Sequence, residues 1–443
     1  MSRARATLPD FEVAPPVNTP AVTKTRMDLN IDTESNQSRP AGGLGAEPPS
    51  AESFHNDLFT FWKLPENWRA AMADLAEQSE REARHYLLEE YLDQSGRKPS
   101  PILKYYYFIK GVIPARLRHQ LNSIAIRSRR RPAFPDWPCE DALLQVWRRG
   151  LAAALEHREA QDTWHIGFWP GGRPCAVVLT HDVESPQGLA AMERMAELEE
   201  RYGFRSGWNL ALEQYPIDWN KIDALRARGF EFGAHGLKHD GRLFRSEREF
   251  KELSSRIRRI SREHDLRGFR APSTLRRADW IPQLQCDFDS SFSDTDIFEP
   301  QPGGTCSIFP FFLESLVELP YTLPMDHTLM HVLKRELLPI WISKARWIAS
   351  MGGMILTLVH PDYCGRDPYL LDYEKLLQYL AGLDNAWRAL PSQAAAWWRQ
   401  RAAAELHLID SQPVVSGPGS GLVPRLVSQE PLARLEGRAA GES

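Results

Sequence analysis

The stretch CAVVLTHDVE, residues 175–184, joins a short apolar run to a group of titratable side chains. An apolar run of this length, bounded by Pro174 and Ser185, predicts a strand buried in a parallel sheet. Successive side chains of a strand point to opposite faces, so Asp182 and Glu184 share one face and His181 the other. We therefore expect a buried strand whose carboxyl end presents two carboxylates to one pocket.

The same arrangement recurs in GFEFGAH, residues 229–235, and in MILTLVH, residues 354–360. Between them FKELSSRIRRI, residues 250–260, places apolar side chains on one helical face. Alternation of short apolar runs with amphipathic helices is typical of an α/β barrel domain, which we expect over residues 164–408. In such domains the carboxyl ends of parallel strands form the site.

Composition divides the rest of the chain. Residues 1–54 contain seven prolines, and residues 409–443 contain SGPGSG, so we expect both tails to be disordered. Residues 55–163 are predicted to form a helical extension, because apolar side chains recur there at helical spacing.

A basic segment lies inside this extension. Residues 101–135 hold eight Lys or Arg and no acidic residue, with aromatic and aliphatic side chains between them. This pattern is compatible with a helix lying on an anionic membrane surface, and the alternative is a solvated basic face over a packed helix.

Charge, cysteines and hydropathy exclude several classes of protein. The net charge is −4, from 54 Lys and Arg against 58 Asp and Glu, which disfavours a dedicated nucleic-acid binder. Five scattered cysteines without a CxxC pair argue against a disulfide framework and a structural zinc ribbon. With neither a signal-peptide pattern nor an apolar span, we expect a cytoplasmic protein, with peripheral contact at the inner membrane face if the basic segment binds lipid. Motifs of serine-triad enzymes, phosphate loops and dinucleotide sites are also missing from the sequence.

His235 and His239 stand four residues apart, the spacing at which one helical turn aims two imidazoles at one divalent ion. With a carboxylate from residues 182–184 they would form a two-histidine, one-carboxylate site that leaves positions open for water and substrate. Such spacing also arises without a metal. His327 and His331 repeat it after Pro324, where helix packing or pocket lining is the favoured interpretation.

The order of these pieces resembles the NodB-type polysaccharide deacetylases, carbohydrate esterase family 4. VVLTHDVE is similar to the first family motif, in a variant with DxE. His235 with His239 matches the second motif, and Arg270-Ala271-Pro272 matches the third. Asp289-Ser290 matches the fourth motif, and Leu358-Val359-His360 matches the fifth. All five motifs occur in family order over residues 180–360.

The resemblance implies an incomplete (β/α)7 barrel and metal-dependent hydrolysis of an acyl group, usually N-acetyl on an amino sugar. It implies that Asp182 is the general base toward the water on the metal and that Arg270 holds this base. Glu184, His235 and His239 would bind the metal, most simply Zn²⁺, with Co²⁺, Ni²⁺ or Mn²⁺ as alternatives. His360 would be the general acid, with Asp289 as its orienting partner.

Three positions depart from the family pattern. Val183 replaces the usual second aspartate, Gly236 replaces a Ser or Thr, and the fourth motif lacks its tryptophan. Candidate substrate-binding residues are Pro272, Trp208 as a stacking platform, Asp326 and His327. Trp219 and Trp280 are further candidates for stacking.

The sequence therefore predicts a carbohydrate deacetylase whose substrate is a lipid-linked or nucleotide-linked sugar of envelope or exopolysaccharide synthesis. One alternative is a deformylase or cyclic-amide hydrolase on the same barrel. Another is a catalytically silent saccharide-binding or scaffold protein.

Overall fold

A computed structural model describes residues 55–92 and 133–428 of the 443-residue chain. The predicted N-terminal tail, most of the basic segment and the last fifteen residues, 429–443, lie outside the described residues.

The described residues contain one large sheet that forms the wall of a barrel. Its strands run in the order β9, β2, β3, β4, β5, β6, β8, and each neighbouring pair is parallel. Two further strands flank it, since β10 pairs with the amino half of β2 and β7 pairs antiparallel with β8. The strands are β1 Asp162–Ile166, β2 Ala176–Val183, β3 Ser206–Leu210, β4 Glu231–Ala234, β5 Gly268–Phe269, β6 Phe288–Asp289, β7 Phe311–Leu313, β8 Leu316–Glu318, β9 Met354–Leu356, β10 Trp387–Ala389, β11 Glu405–Ile409, β12 Gln412–Ser416 and β13 Pro424–Ser428.

The segment that follows β8 brings the two sides of the barrel together. Backbone N–H groups of Thr322 and Leu323 donate to the carbonyl of Leu356 in β9, at 3.0 and 3.1 Å. The predicted seven-strand parallel barrel is therefore confirmed.

Helices cover the outside of the sheet, and several begin at a side-chain cap. Ser185 and Ser246 each accept a backbone N–H of the first helical turn, which fixes the start of the helix after the preceding strand or loop. The helices are α1 Leu58–Trp62, α2 Glu66–Ala71, α3 Ala73–Leu87, α4 Ala142–His157, α5 Pro186–Arg201, α6 Trp219–Ala227, α7 Glu247–Glu263, α8 Leu337–Ser350, α9 Pro361–Cys364, α10 Tyr369–Ala381 and α11 Pro391–Ala402. A π-helix spans Thr328–Leu333, and short 3-10 helices span Pro170–Gly172, Pro272–Thr274 and Ile281–Leu284.

The region predicted as a helical extension contains α1 to α4. Phe61 stacks on Trp147 with ring centroids 4.8 Å apart, and it also contacts Phe168 and Phe309 of the barrel region. These helices therefore share their hydrophobic core with the barrel.

The prediction that the chain is disordered from residue 409 is wrong for the described part of this segment. Residues 412–416 pair with β11, and 424–428 pair with β1, where Trp164 lies opposite Leu426. Composition misses β13 because its hydrogen bonds depend on β1, which lies about 260 residues earlier in the chain, whereas β12 forms a local hairpin with β11.

None of the helices in the described ranges combines the length and the apolar character needed to cross a bilayer.

Candidate metal centre and active site

The carboxyl ends of the parallel strands converge on one point. Asp182 is the penultimate residue of β2, His235 follows β4, and Arg270 follows β5. His360 follows the segment that continues β9, where Val359 bridges His181 of β2. Side chains from four strand ends thus share one pocket, as the apolar runs predict.

Glu184, His235 and His239 form the group of potential metal ligands found among the described residues, with ligand atoms within 4.8 Å of one another. Nε2 of His239 lies 2.9 Å from Oε1 of Glu184, and Nε2 of His235 lies 3.5 Å from the same oxygen. Two imidazoles and one carboxylate are a donor set that suits a divalent transition metal.

The protonation pattern of His235 shows that the residues fit a cation. Its Nδ1 donates to the carbonyl of Arg270 at 3.0 Å, which leaves the lone pair on Nε2. Nε2 is fully buried and makes no hydrogen bond within the described ranges. Because an unsatisfied buried acceptor is costly, a bound cation explains this orientation best.

The two histidines are joined by an irregular turn, and the predicted helical turn is wrong. Gly236 has φ +66°, and a Cβ at this position would lie 2.8 Å from Cγ of Pro272. The turn therefore requires the glycine that replaces the usual Ser or Thr. Pro272 is buried against this turn, so it shapes the metal site and has no open face for a substrate.

Asp182 lies beside the metal ligands, with Oδ2 3.7 Å from Nδ1 of His235. Oδ1 accepts from Asn209 at 2.9 Å and from Arg270 at 3.2 Å. Burial, the largest single effect, raises the pKa of this carboxyl, but Arg270, His235, His360 and the hydrogen bond from Asn209 together outweigh it, so the net pKa is lowered. Asp182 is thus held ionised. Asn209, at the end of β3, was missed by the sequence analysis, although the polar residue at the end of SGWNL marks it.

Arg270 is fully buried, and its guanidinium makes four hydrogen bonds, one of them to Asp182. It donates to the carbonyl and hydroxyl of Ser290, both at 2.6 Å, and to the hydroxyl of Thr180 at 2.8 Å. These fixed contacts aim the group at Asp182.

The partner of His360 is Asp326, and the prediction of Asp289 is wrong. Nδ1 of His360 lies 2.6 Å from Oδ1 of Asp326, and the backbone N–H of His360 donates to Oδ2 at 2.7 Å. Asp289 instead accepts from Ser291 and shares a hydrogen bond with Glu318. Burial raises the pKa of both Asp289 and Glu318, so this pair retains a proton.

Asp326 also changes the expected state of His360. Burial, the largest single effect, lowers the pKa of the imidazole, but Asp326 and Glu184 together outweigh it, so the net pKa is raised well above 6.5. Nε2 faces the metal ligands, 3.6 Å from Oε1 of Glu184. Asp326, predicted to bind substrate, is therefore an orienting group whose oxygens are both engaged.

Trp208 and His327 were also predicted to bind substrate, and the structure places them in two different environments. Trp208 is fully buried and stacks on His181 with centroids 4.1 Å apart, so the predicted stacking platform is wrong. Its neighbour Asn209 takes the face of β3 that points to the pocket. His327 is half-buried beside His331 and Tyr363, and burial lowers the pKa of its imidazole to about 3. A neutral His327 is compatible with a place in the pocket wall.

Comparison with known proteins gives structural matches alone, since no protein-family profile and no curated protein matches the chain. A Mycobacterium smegmatis protein described as a polysaccharide deacetylase is 18% identical, with TM-score 0.43, over 52% of this chain and 92% of that one. Puue allantoinase is 13% identical, with TM-score 0.42, over 52% and 92%. A Pseudomonas aeruginosa PAO1 protein described as a polysaccharide deacetylase is 15% identical, with TM-score 0.41, over 52% and 93%.

Proposed function

We propose that this protein is a metal-dependent hydrolase that removes an acyl group, N-acetyl in the first instance, from a carbohydrate. The observation that carries the proposal is the arrangement around Glu184. An ionised carboxylate, Asp182, lies 3.7 Å from His235, and a protonated imidazole, His360, lies 3.6 Å from Glu184.

The metal would be held by Glu184, His235 and His239. When bound, a divalent cation would polarise an acyl carbonyl and lower the pKa of bound water to about 7.

Asp182 supplies the base. Arg270 and Asn209 keep it ionised and hold its Oδ1, which leaves Oδ2, 3.7 Å from Nδ1 of His235, to accept a proton. Because the base is held by fixed donors, it needs no reorganisation when it accepts that proton.

His360 supplies the acid. An amine leaving group must gain a proton before it departs, and Asp326 keeps the imidazole protonated with Nε2 directed at the site. Base and acid on two sides of the ligand cluster match the two proton transfers of amide hydrolysis. The reaction consumes one water and yields the free amine and the carboxylic acid.

The resemblance of the five motifs to polysaccharide deacetylases supports a carbohydrate substrate. The basic segment, residues 101–135, favours a sugar carried on an anionic lipid over a free polymer.

The test measures bound metal by elemental mass spectrometry in protein purified without chelator. We expect about one equivalent of divalent metal in the wild type and its loss in the His235→Ala/His239→Ala variant. The matched control is His327→Ala/His331→Ala, which removes two histidines at the same spacing and retains the metal.

Metal-loaded wild type is then assayed for acetate and formate release from N-acetylated and N-formylated sugars. Acetate release supports the proposal, while formate release alone assigns the deformylase alternative. Equal metal content in the two double variants, or hydrolysis of neither substrate, contradicts it.

A further inference from the structure

A buried polar network lies directly behind the catalytic strand. His181 is fully buried on β2, on the face opposite to Asp182. Its Nδ1 donates to the carbonyl of Val359 at 3.1 Å, and its Nε2 lies 2.6 Å from Oε1 of Glu199. The ring therefore connects β2, the segment that carries His360, and helix α5.

Glu199 is the centre of this network. It projects from α5 and is fully buried. Its carboxylate accepts the hydroxyl of Ser206 in β3 at 2.5 Å and the hydroxyl of Tyr373 in α10 at 2.7 Å, besides the ring of His181. Three donors from three elements satisfy the charge, and a fully satisfied buried network is rigid.

The position of His181 is otherwise apolar. The other side chains on its face of β2 are Val177, Leu179 and Val183, all buried. A buried ionic contact contributes little net stability compared with a well-packed apolar residue, because desolvation offsets the attraction. Stability by itself is therefore a poor explanation for a histidine at this point.

The contacts of the ring suggest a different explanation. His181 precedes the base, Asp182, and its acceptor Val359 precedes the acid, His360. The bond from Nδ1 to the Val359 carbonyl thus joins the two backbone segments from which base and acid project. Trp208 packs on the ring and keeps it in this orientation.

We propose that His181 is a positioning residue that sets the separation of Asp182 and His360 through the carbonyl of Val359, with Glu199 as its anchor. This proposal rests on the proposed function. Since a misplacement of about 1 Å costs up to 10²-fold in rate, the effect falls on kcat.

Three substitutions of His181 separate positioning from stability. His181→Phe keeps the ring stacked on Trp208 and removes both bonds. The side-chain amide of His181→Asn donates from the place of Nδ1 toward Val359, and that of His181→Gln donates from the place of Nε2 toward Glu199. Glu231→Gln, which changes a buried carboxyl group at the amino end of β4, is the control for a polar substitution in the core away from His181.

We expect His181→Phe to lower kcat by about 10-fold to 10²-fold, with KM and metal content unchanged. His181→Asn should recover most of kcat. His181→Gln should recover the melting temperature and leave kcat low. Should His181→Phe not fold, the Asn and Gln pair carries the same comparison. Wild-type kcat in His181→Phe, or values of kcat that follow the melting temperatures across the series, would overturn the proposal.

A second readout does not depend on turnover. The proton on Nδ1 of His360, bonded to Asp326 at 2.6 Å, should give a downfield ¹H resonance. Positioning predicts that it moves in His181→Phe and His181→Gln, and stays in place in His181→Asn and Glu231→Gln. If wild type hydrolyses no acylated sugar, the proposed function fails, and this resonance still decides the positioning role. An unmoved resonance in His181→Phe rejects that role.

Discussion

The carboxyl end and the amino end of the barrel both bury charged groups, but they satisfy them in different ways. At the carboxyl end, Asp182 meets Arg270 and His360 meets Asp326, so side chains from different strands pair with one another. At the amino end, buried Arg401 of α11 donates to backbone carbonyls of Phe61, Ile166 and Gly167, at 2.8 to 3.0 Å.

Helix α11 lies across the amino end and closes it. Its backbone N–H at Ser392 donates to Glu231, the first residue of β4, and Arg399 donates to the carbonyl of Asp287, just before β6. Backbone groups cannot change charge, whereas carboxylates and imidazoles can gain or lose protons and bind a cation. The comparison indicates that the carboxyl end is arranged for chemistry and the amino end for holding α1, β1 and the barrel together.

The largest expected effect tests the carboxyl end. His360→Ala removes the proton donor and should lower turnover by roughly 10² to 10⁴. Metal content and the melting temperature should stay near those of wild type, since His360 is not among the three candidate ligands. Steady-state kinetics with elemental analysis measure both quantities.

His264→Ala is the control for that variant, because its ring stacks on Trp219 outside the site. Unchanged turnover in His360→Ala would exclude His360 from the mechanism. It would also contradict the assignment of chemistry to the carboxyl end of the barrel.

The next effect tests the amino end. Arg401→Met leaves several buried carbonyls without their donor, each costing about 1–3 kcal/mol, so we expect the free energy of unfolding to fall by roughly 4 kcal/mol. Turnover per folded molecule should not change. Urea unfolding measures the loss, and Arg399→Met, which removes a single bond to the Asp287 carbonyl, should cost much less.

A loss of turnover in folded Arg401→Met, at full metal content, would show that the two ends are coupled. The division between chemistry and closure would then be wrong.

The smallest expected effect is the pH dependence of stability that a buried carboxyl group at the amino end produces. Burial raises the pKa of Glu231 to about 7, so the folded protein holds a proton that the unfolded chain loses near its ordinary pKa. The stability from this proton is complete below pH about 4.5 and is lost as the pH rises through about 7. Glu231→Gln should therefore gain stability relative to wild type between pH 5 and pH 8, by up to about 3 kcal/mol.

Unfolding curves of both proteins at the two pH values measure this gain. A difference that does not change with pH would show that Glu231 is ionised in the folded protein throughout this range.

Much of the site could be predicted because each functional side chain follows an apolar strand run. Asp182, Glu184, His235 and His360 stand at such positions, and the ends of parallel strands must meet at one edge. Arg270 was named through the resemblance of its motif to a known family. The shape of the turn at Gly236 could not be predicted in this way, because it depends on contact with Pro272, which follows another strand.

The partner of His360 could not be read from the sequence. Asp289 and Asp326 both follow apolar segments, and only the bonds from Thr322 and Leu323 to Leu356 bring the second one beside His360. Likewise, Trp208 reads as a stacking surface until the alternation of β3 places it behind the sheet.

The sequence by itself determined the alternation of strands and helices, because periodicity is a local property of the chain, and its five motifs, through their resemblance to a known family, indicated the barrel and the residues at its carboxyl end. Tertiary structure alone decided which carboxylate holds His360, the contacts of His181 with Val359 and Glu199, and the pairing of residues 424–428 with β1. The physical reason is that these contacts join segments far apart in the chain, and their geometry follows from how the barrel closes.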